Sequence, residues 1–227
     1  MKHSGKARQA ALKLIFWTLA GLMVIFVAGI LAVVVGRVIW DISLLLVGLW
    51  VLFAGFTFYF FRDPEANVPS GPGLVVSPAH GKVDIIDKVT EAQFMGGACQ
   101  RISIFLSVID IHVQNAPVGG KVAFYRYTTG QFLSALKTES AEHNENALLG
   151  FESREGGVKI GLRLIAGVLA RRIVPFVKEG DEPARGERIS LIQFGSRTDL
   201  YLPLTATIKV KLGDRVVGGE TIMATLP

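Results

Sequence analysis

Cysteine is almost missing from these 227 residues: Cys99 stands alone, so no intrachain disulfide can form. Flanked by Gly96, Gly97 and Ala98, it reads as a small buried side chain rather than a nucleophile, and a reducing cytosol suits it. Only four histidines occur, His3, His80, His112 and His143. No two of them have the close helical or hairpin spacing of a zinc site, so no bound metal is expected. A basic cluster in the folded part is lacking too. Of 24 Lys and Arg and 19 Asp and Glu, residues 1–61 hold Lys2, Lys6, Arg8, Lys13 and Arg37 against Asp41 alone. The rest is close to neutral, and the pI of 9.4 is mainly a property of the N-terminal segment. A nucleic-acid groove, which needs its Lys and Arg clustered on the folded surface, is excluded.

Charge is absent altogether from Leu14 to Gly36, and a second apolar run covers Ile42 to Phe61. At a rise of about 1.5 Å per residue each approaches the roughly 30 Å hydrocarbon core of a bilayer. Only Arg-Val-Ile-Trp-Asp (37–41) separates them, so the expectation is a two-helix transmembrane hairpin. Basic residues before the first run, and Arg62 after the second, would then place the following domain on the cytoplasmic face of the cell (inner) membrane. A cleaved signal peptide does not fit, since its apolar core would be shorter and would end at a small-residue cleavage site.

After Phe61 the composition changes at once. Residues 62–73 carry three prolines and two glycines, the composition of a linker. Beyond them come short runs rich in Val, Ile, Tyr and Phe, bounded by Gly, Pro or Asp, which predict a mainly β (α+β) domain over 62–227. Only residues 131–148 look helical, with 164–174 open between helix and strand. Val177–Glu187 and Val210–Glu220 repeat one another, sharing Val-Lys-x-Gly-Asp at the start and Gly-Glu at the end. Each predicts a strand, a Gly-Asp turn and a Gly-Glu turn, like the hairpins of lipoyl- and biotinyl-type folds, and hence a barrel-sandwich-hybrid-like domain. The tip near Gly180-Asp181 has Lys178 outside it and not the Met-Lys-Met of a carrier domain.

His3 lies in the basic tail and reads as solvated. His112 sits where strand-like alternation gives way to Asn-Ala-Pro-Val-Gly-Gly, the place of a catalytic residue on a scaffolded loop. Read alone, the segment favours a partly buried histidine satisfied by backbone groups. His80, in Ser-Pro-Ala-His-Gly-Lys-Val, is placed similarly, and a simple turn residue is its plainer reading. Gly195-Ser196 lies between two β-type runs. It is not a nucleophile elbow, because no Gly follows two residues on and no helix follows.

Taken together, Phe60–Pro64 (FFRDP), Ser77–Val83 (SPAHGKV), Asp110–Val122 (DIHVQNAPVGGKV) and Phe194–Arg197 (FGSR) resemble, in order and spacing, the short form of phosphatidylserine decarboxylase. The resemblance implies a proenzyme that cleaves itself between Gly195 and Ser196. The products would be a membrane-anchored β chain, 1–195, and an α chain, 196–227, headed by a covalent pyruvoyl group made from Ser196. It further implies decarboxylation of a phospholipid, phosphatidylserine, to phosphatidylethanolamine through a Schiff base with that group. His112 is the expected base for the Ser196 hydroxyl, with His80 as its partner. Asn115 and His143 are expected to contact substrate. The sequence departs from the family at two of these places: Asp usually stands where His80 is, and a basic residue where Asn115 is. The resemblance leaves room for a homo-oligomer, for another serine-headed membrane lipid as substrate, and for a non-catalytic membrane-tethered relative that kept only the scaffold.

Overall fold

The computed structural model describes residues 6–131, 144–167, 172–192 and 196–227. Two compact units result, Met1–Thr57 and Phe58–Pro227.

One helix, α1, runs without interruption over Lys6–Phe60. The expected hairpin is therefore corrected to a single helix. The reason lies in residues 37–41, which contain neither Gly nor Pro to turn the chain. Arg37 and Asp41 stand four apart, a spacing that places opposite charges on one helical face and favours continuation. Its stretch Leu12–Phe60 is long and apolar enough to cross a membrane, the most apolar 18-residue window in it having a mean hydropathy of 2.8. Trp17, Ile25, Val33 and Leu52 are each about 70% exposed, surface that suits lipid and not water. Its serine and threonine hydroxyls are satisfied internally: Thr18, Ser43 and Thr57 donate to the carbonyls of Leu14, Ile39 and Phe53 at 2.8–2.9 Å, as apolar surroundings require.

The second unit is built from β-strands. Its centre is a seven-stranded antiparallel sheet. Its members are β2 (Gly81–Glu91), β3 (Gly97–Leu106), β5 (Gly120–Thr128), β6 (Asn146–Ser153), β7 (Lys159–Ala166), β10 (Ser196–Leu202) and β12 (Arg215–Val216). The spatial order is β12-β2-β3-β10-β7-β6-β5, which places β10 in the middle. Two three-stranded sheets complete the unit. One joins β1 (Leu74–Val76), β13 (Ile222–Thr225) and β11 (Thr207–Ile208); the other joins β4 (Val113–Asn115), β9 (Arg188–Ile192) and β8 (Ile173–Pro175). One apolar cluster links the sheets, with Val83, Ile104, Leu149, Leu162, Ile189 and Leu200 fully buried in it.

The mainly β expectation holds, with local corrections. The end of the helix expected over 131–148 is strand, since Asn146–Leu148 open β6 between β5 and β7; the rest of it falls largely outside the described residues. Cross-strand pairing on both sides outweighs the helix preference of Asn-Ala-Leu-Leu. At both ends 164–174 is strand, in β7 and β8.

The internal repeat is a real structural repeat. In each copy Asp accepts from the backbone N–H of a Lys three residues earlier, Lys178 to Asp181 at 2.9 Å and Lys211 to Asp214 at 2.8 Å. The preceding glycines, Gly180 and Gly213, have φ of 96° and 93°, which a side chain would resist. Their N–H groups donate to Val122 and Val83 at 2.8 Å, so each copy staples its turn to a different strand of the large sheet.

Candidate active site

Ser196 opens the central strand, hydrogen-bonded in register between Leu106 of β3 and Ala166 of β7. It is fully buried, and its Oγ has no hydrogen-bond partner among the described residues. A buried hydroxyl left unpaired costs stability, so its retention at this position has to be explained by something other than packing. The next residue fixes the strand: the Arg197 guanidinium, 4% exposed, holds Asp84 of β2 at 2.6 Å. Gly195 lies outside the described residues, as do His143 and His3.

His112 is also buried, at 1% exposure. Two chain routes bring it towards Ser196. Leu106, beside Ser196, leads through the turn Ser107–Asp110 to His112. From the other direction, Ile192 donates its N–H to the His112 carbonyl at 3.1 Å and stands four residues before Ser196. The same carbonyl accepts Gln114 Nε2 at 2.6 Å, and Gln114 Oε1 accepts the Ser190 hydroxyl at 2.8 Å. The ring stacks on Phe60 with centroids 4.3 Å apart.

Its protonation follows from its partner. His112 Nδ1 lies 2.8 Å from the backbone oxygen of Asp110. A carbonyl only accepts, so Nδ1 carries the proton and Nε2 is the basic nitrogen of the neutral ring. Burial pushes the His112 pKa below the ordinary histidine value, opposed by that hydrogen bond. The ring is therefore neutral at pH 7. Burial alone would raise the Asp110 carboxyl, but hydrogen bonds from Ser107 and Arg215 outweigh it and hold the carboxyl low.

His80 and Asn115 meet at Gly218. A Cβ built on Gly218 would stand 2.7 Å from Asn115 Oδ1 and 2.9 Å from His80 Cδ2. Around them lies a cavity of about 80 Å³ that Asp63, Ile111 and Glu220 also line. Burial lowers the His80 pKa, opposed by the charges of Glu220 and Asp110. Asn115 is anchored, its Nδ2 donating to Gly186 at 2.8 Å and its N–H to Pro78 at 2.9 Å. The proton on His112 Nδ1 is thus held by Asp110, while His80 packs with Asn115 and Gly218. Gly218→Ala should force one of these two side chains aside and cost about 1–3 kcal/mol by overpacking, read as a lower thermal midpoint of the purified protein.

Sequence reading alone did not point to Phe60, Asp110, Gln114 or Gly218 as site residues. Phe60 sits in FFRDP and Asp110 in DIHVQ, so both were visible as parts of motifs without a role. Gly218 carried no signal beyond the repeat, whose first copy has Arg185 in its place.

Comparison with known proteins places these features in context. Residues 53–224 match the phosphatidylserine decarboxylase family. A phosphatidylserine decarboxylase proenzyme from Symbiobacterium thermophilum is 44% identical over 197 residues, covering 87% of this chain and 89% of its own. Proenzymes of the same name from Desulfotalea psychrophila and Geobacter sulfurreducens are 43% and 38% identical. They cover 78% and 89% of this chain, and 83% and 93% of their own.

Proposed function

Because the chain belongs to the phosphatidylserine decarboxylase family, we propose that it cleaves itself at Gly195-Ser196 and decarboxylates phosphatidylserine to phosphatidylethanolamine. The observation that carries the reading is the buried Ser196 hydroxyl, without a partner among the described residues, at the head of the central strand.

In the maturation step the Ser196 Oγ attacks the Gly195 carbonyl while its proton passes to a base. The Gly195–Ser196 amide bond breaks, and Gly195 is left esterified to the Ser196 side chain with a free amine on Ser196. Removal of the Ser196 Cα proton expels the ester as the Gly195 carboxylate, giving a dehydroalanine. Addition of water and loss of ammonia leave a pyruvoyl group at the head of a chain 196–227. Gly195 suits the first step because it offers no side chain to hinder attack. His112 is the proposed base, supported by its neutral ring and by the Nδ1 proton that leaves Nε2 basic.

The residues present fit a pyruvoyl group at position 196: the side chain it replaces is small, buried and without a hydrogen-bond partner among the described residues. When formed, its carbonyl supplies the sink for the electron pair released with carbon dioxide. His112 and its anchors, Asp110 and Gln114, hold a titratable ring in fixed orientation, and the same ring is the proposed proton donor to the product carbon. Asn115 and His143 remain proposed substrate contacts, Asn115 supported by its place in the cavity wall.

The long apolar helix accords with membrane association and a lipid substrate. We propose that the β unit lies on the cytoplasmic face of the inner membrane; with α1 uninterrupted, the basic residues before it no longer support this placement, which rests on Arg62 after it. Protease added outside intact cells should leave the β unit whole, and its digestion there would reverse the placement.

His80 is a proposed member of the maturation site. His80→Ala should slow self-cleavage about fivefold, the worth of one neutral hydrogen bond, and His80→Asp should restore it. Cleavage of His80→Ala at the parent rate, followed on gels after synthesis, would leave His80 a turn residue.

A further inference from the structure

Between β3 and β4 the chain makes a tight turn, Ser107–Asp110, whose two central residues are Val108 and Ile109. Turn centres ordinarily carry Gly, Asn, Asp or Pro. Here they are two β-branched apolar side chains, 36% and 59% exposed. The turn is firmly built. Asp110 donates its N–H to the Ser107 carbonyl at 3.0 Å. Its Oδ2 accepts the Ser107 N–H and hydroxyl at 2.8 and 2.7 Å, and Arg215 binds its Oδ1 at 2.8 Å. The two apolar side chains are thus held outward by a braced turn.

A second observation says what they face. Arg62 reaches the tip, its Nη2 donating to the Ile109 carbonyl at 2.7 Å. Its Nη1 donates to the carbonyl of Tyr59, in the last turn of α1, at 2.8 Å, and the guanidinium lies 4.0 Å over the Tyr59 ring. Tyr59 and Phe61 are 50% and 40% exposed. Aromatic and basic residues at the end of a long apolar stretch are the composition of a membrane–water interface. One guanidinium therefore ties the apolar turn to that interfacial belt.

We propose that Val108 and Ile109 insert into the lipid interface beside the end of α1, as a second membrane contact of the β unit. The contact sets the headgroup layer against the segment that carries His112, two residues beyond Asp110. A lipid-borne serine headgroup then meets the site without leaving the bilayer. This deepens the decarboxylase reading and rests on it.

The test uses the full chain with Cys99→Ala and Ile109→Cys, labelled with nitrobenzoxadiazole and reconstituted into phosphatidylcholine–phosphatidylglycerol vesicles. Some of the lipid carries a spin label at acyl carbon 5. Leu204→Cys in the same background is the control: Leu204 is 50% exposed and lies just beyond Leu202, at the end of β10 away from Ser196. The expected result is quenching at 109 at least threefold stronger than at 204. Equal quenching at the two sites overturns the proposal. So does a signal at 109 that changes with protein concentration and not with spin-labelled lipid, which would make the turn a contact between copies. Intact mass of the same samples reports cleavage at Ser196 separately: a cleaved chain without quenching sinks the membrane contact alone, and an uncleaved chain sinks the function.

Discussion

Ser196→Ala should accumulate as one full-length chain with no decarboxylase activity. No hydroxyl remains to attack the Gly195 carbonyl, so neither the ester nor the pyruvoyl group can form, and the loss is complete rather than graded. Folding should survive, because the substitution removes an oxygen that makes no hydrogen bond among the described residues. Removing an unpaired buried hydroxyl is neutral or mildly stabilising. A melt at or slightly above the parent's, together with an uncut band, is the predicted pair of results. An uncut band from an unfolded protein would say nothing about chemistry, so both are measured on one preparation.

His112→Ala should slow self-cleavage by about 10²–10⁴-fold, the usual worth of a positioned general base. The pH profile separates this role from a packing role. With its pKa depressed by burial, His112 stays neutral from alkaline pH down through the ordinary histidine value of 6.5. The cleavage rate should be flat over that range and fall only at lower pH, as the ring takes up a proton. Stability runs in the same direction. Below pH 6.5 the unfolded chain binds a proton that the folded chain resists, so folding is favoured at higher pH and weakens as pH falls. His112→Gln, which keeps volume and polarity without a titratable ring, should remain as slow as His112→Ala. Full-rate cleavage in either variant would remove His112 from maturation.

Much of the architecture was legible because it rests on local patterns. Short β-branched runs predicted the strands, and Val-Lys-x-Gly-Asp predicted twin turns, because a side-chain carboxylate three residues from a backbone N–H is a local event. The break in the helix was misjudged. Hydropathy reports which residues avoid water, and Arg37 and Asp41 read as a loop only because they are charged; whether a helix ends depends on Gly, Pro and capping residues, and there are none between them.

The site was legible in part. Ser196 was found from the order of four motifs, since Gly-Ser by itself is commonplace in turns. Its burial depends on β3 and β7 on either side, some 90 and 30 residues away in the chain. The partner of His112 was sought in His80 by analogy with the family's Asp. The carbonyl at the ring's Nδ1 belongs to Asp110, two residues away, and a backbone acceptor leaves no trace in composition; the part His80 plays stays a proposal. Phe60 against His112 and Gly218 against Asn115 are close approaches between distant segments, visible only once the fold is built.

Intact mass of the purified parent protein tests the central claim most directly. Two chains are expected, one ending at Gly195 and a 32-residue partner whose blocked first residue has the mass of a pyruvoyl group in place of Ser196. A single 227-residue chain with an intact serine, in a preparation that melts cooperatively, would contradict it.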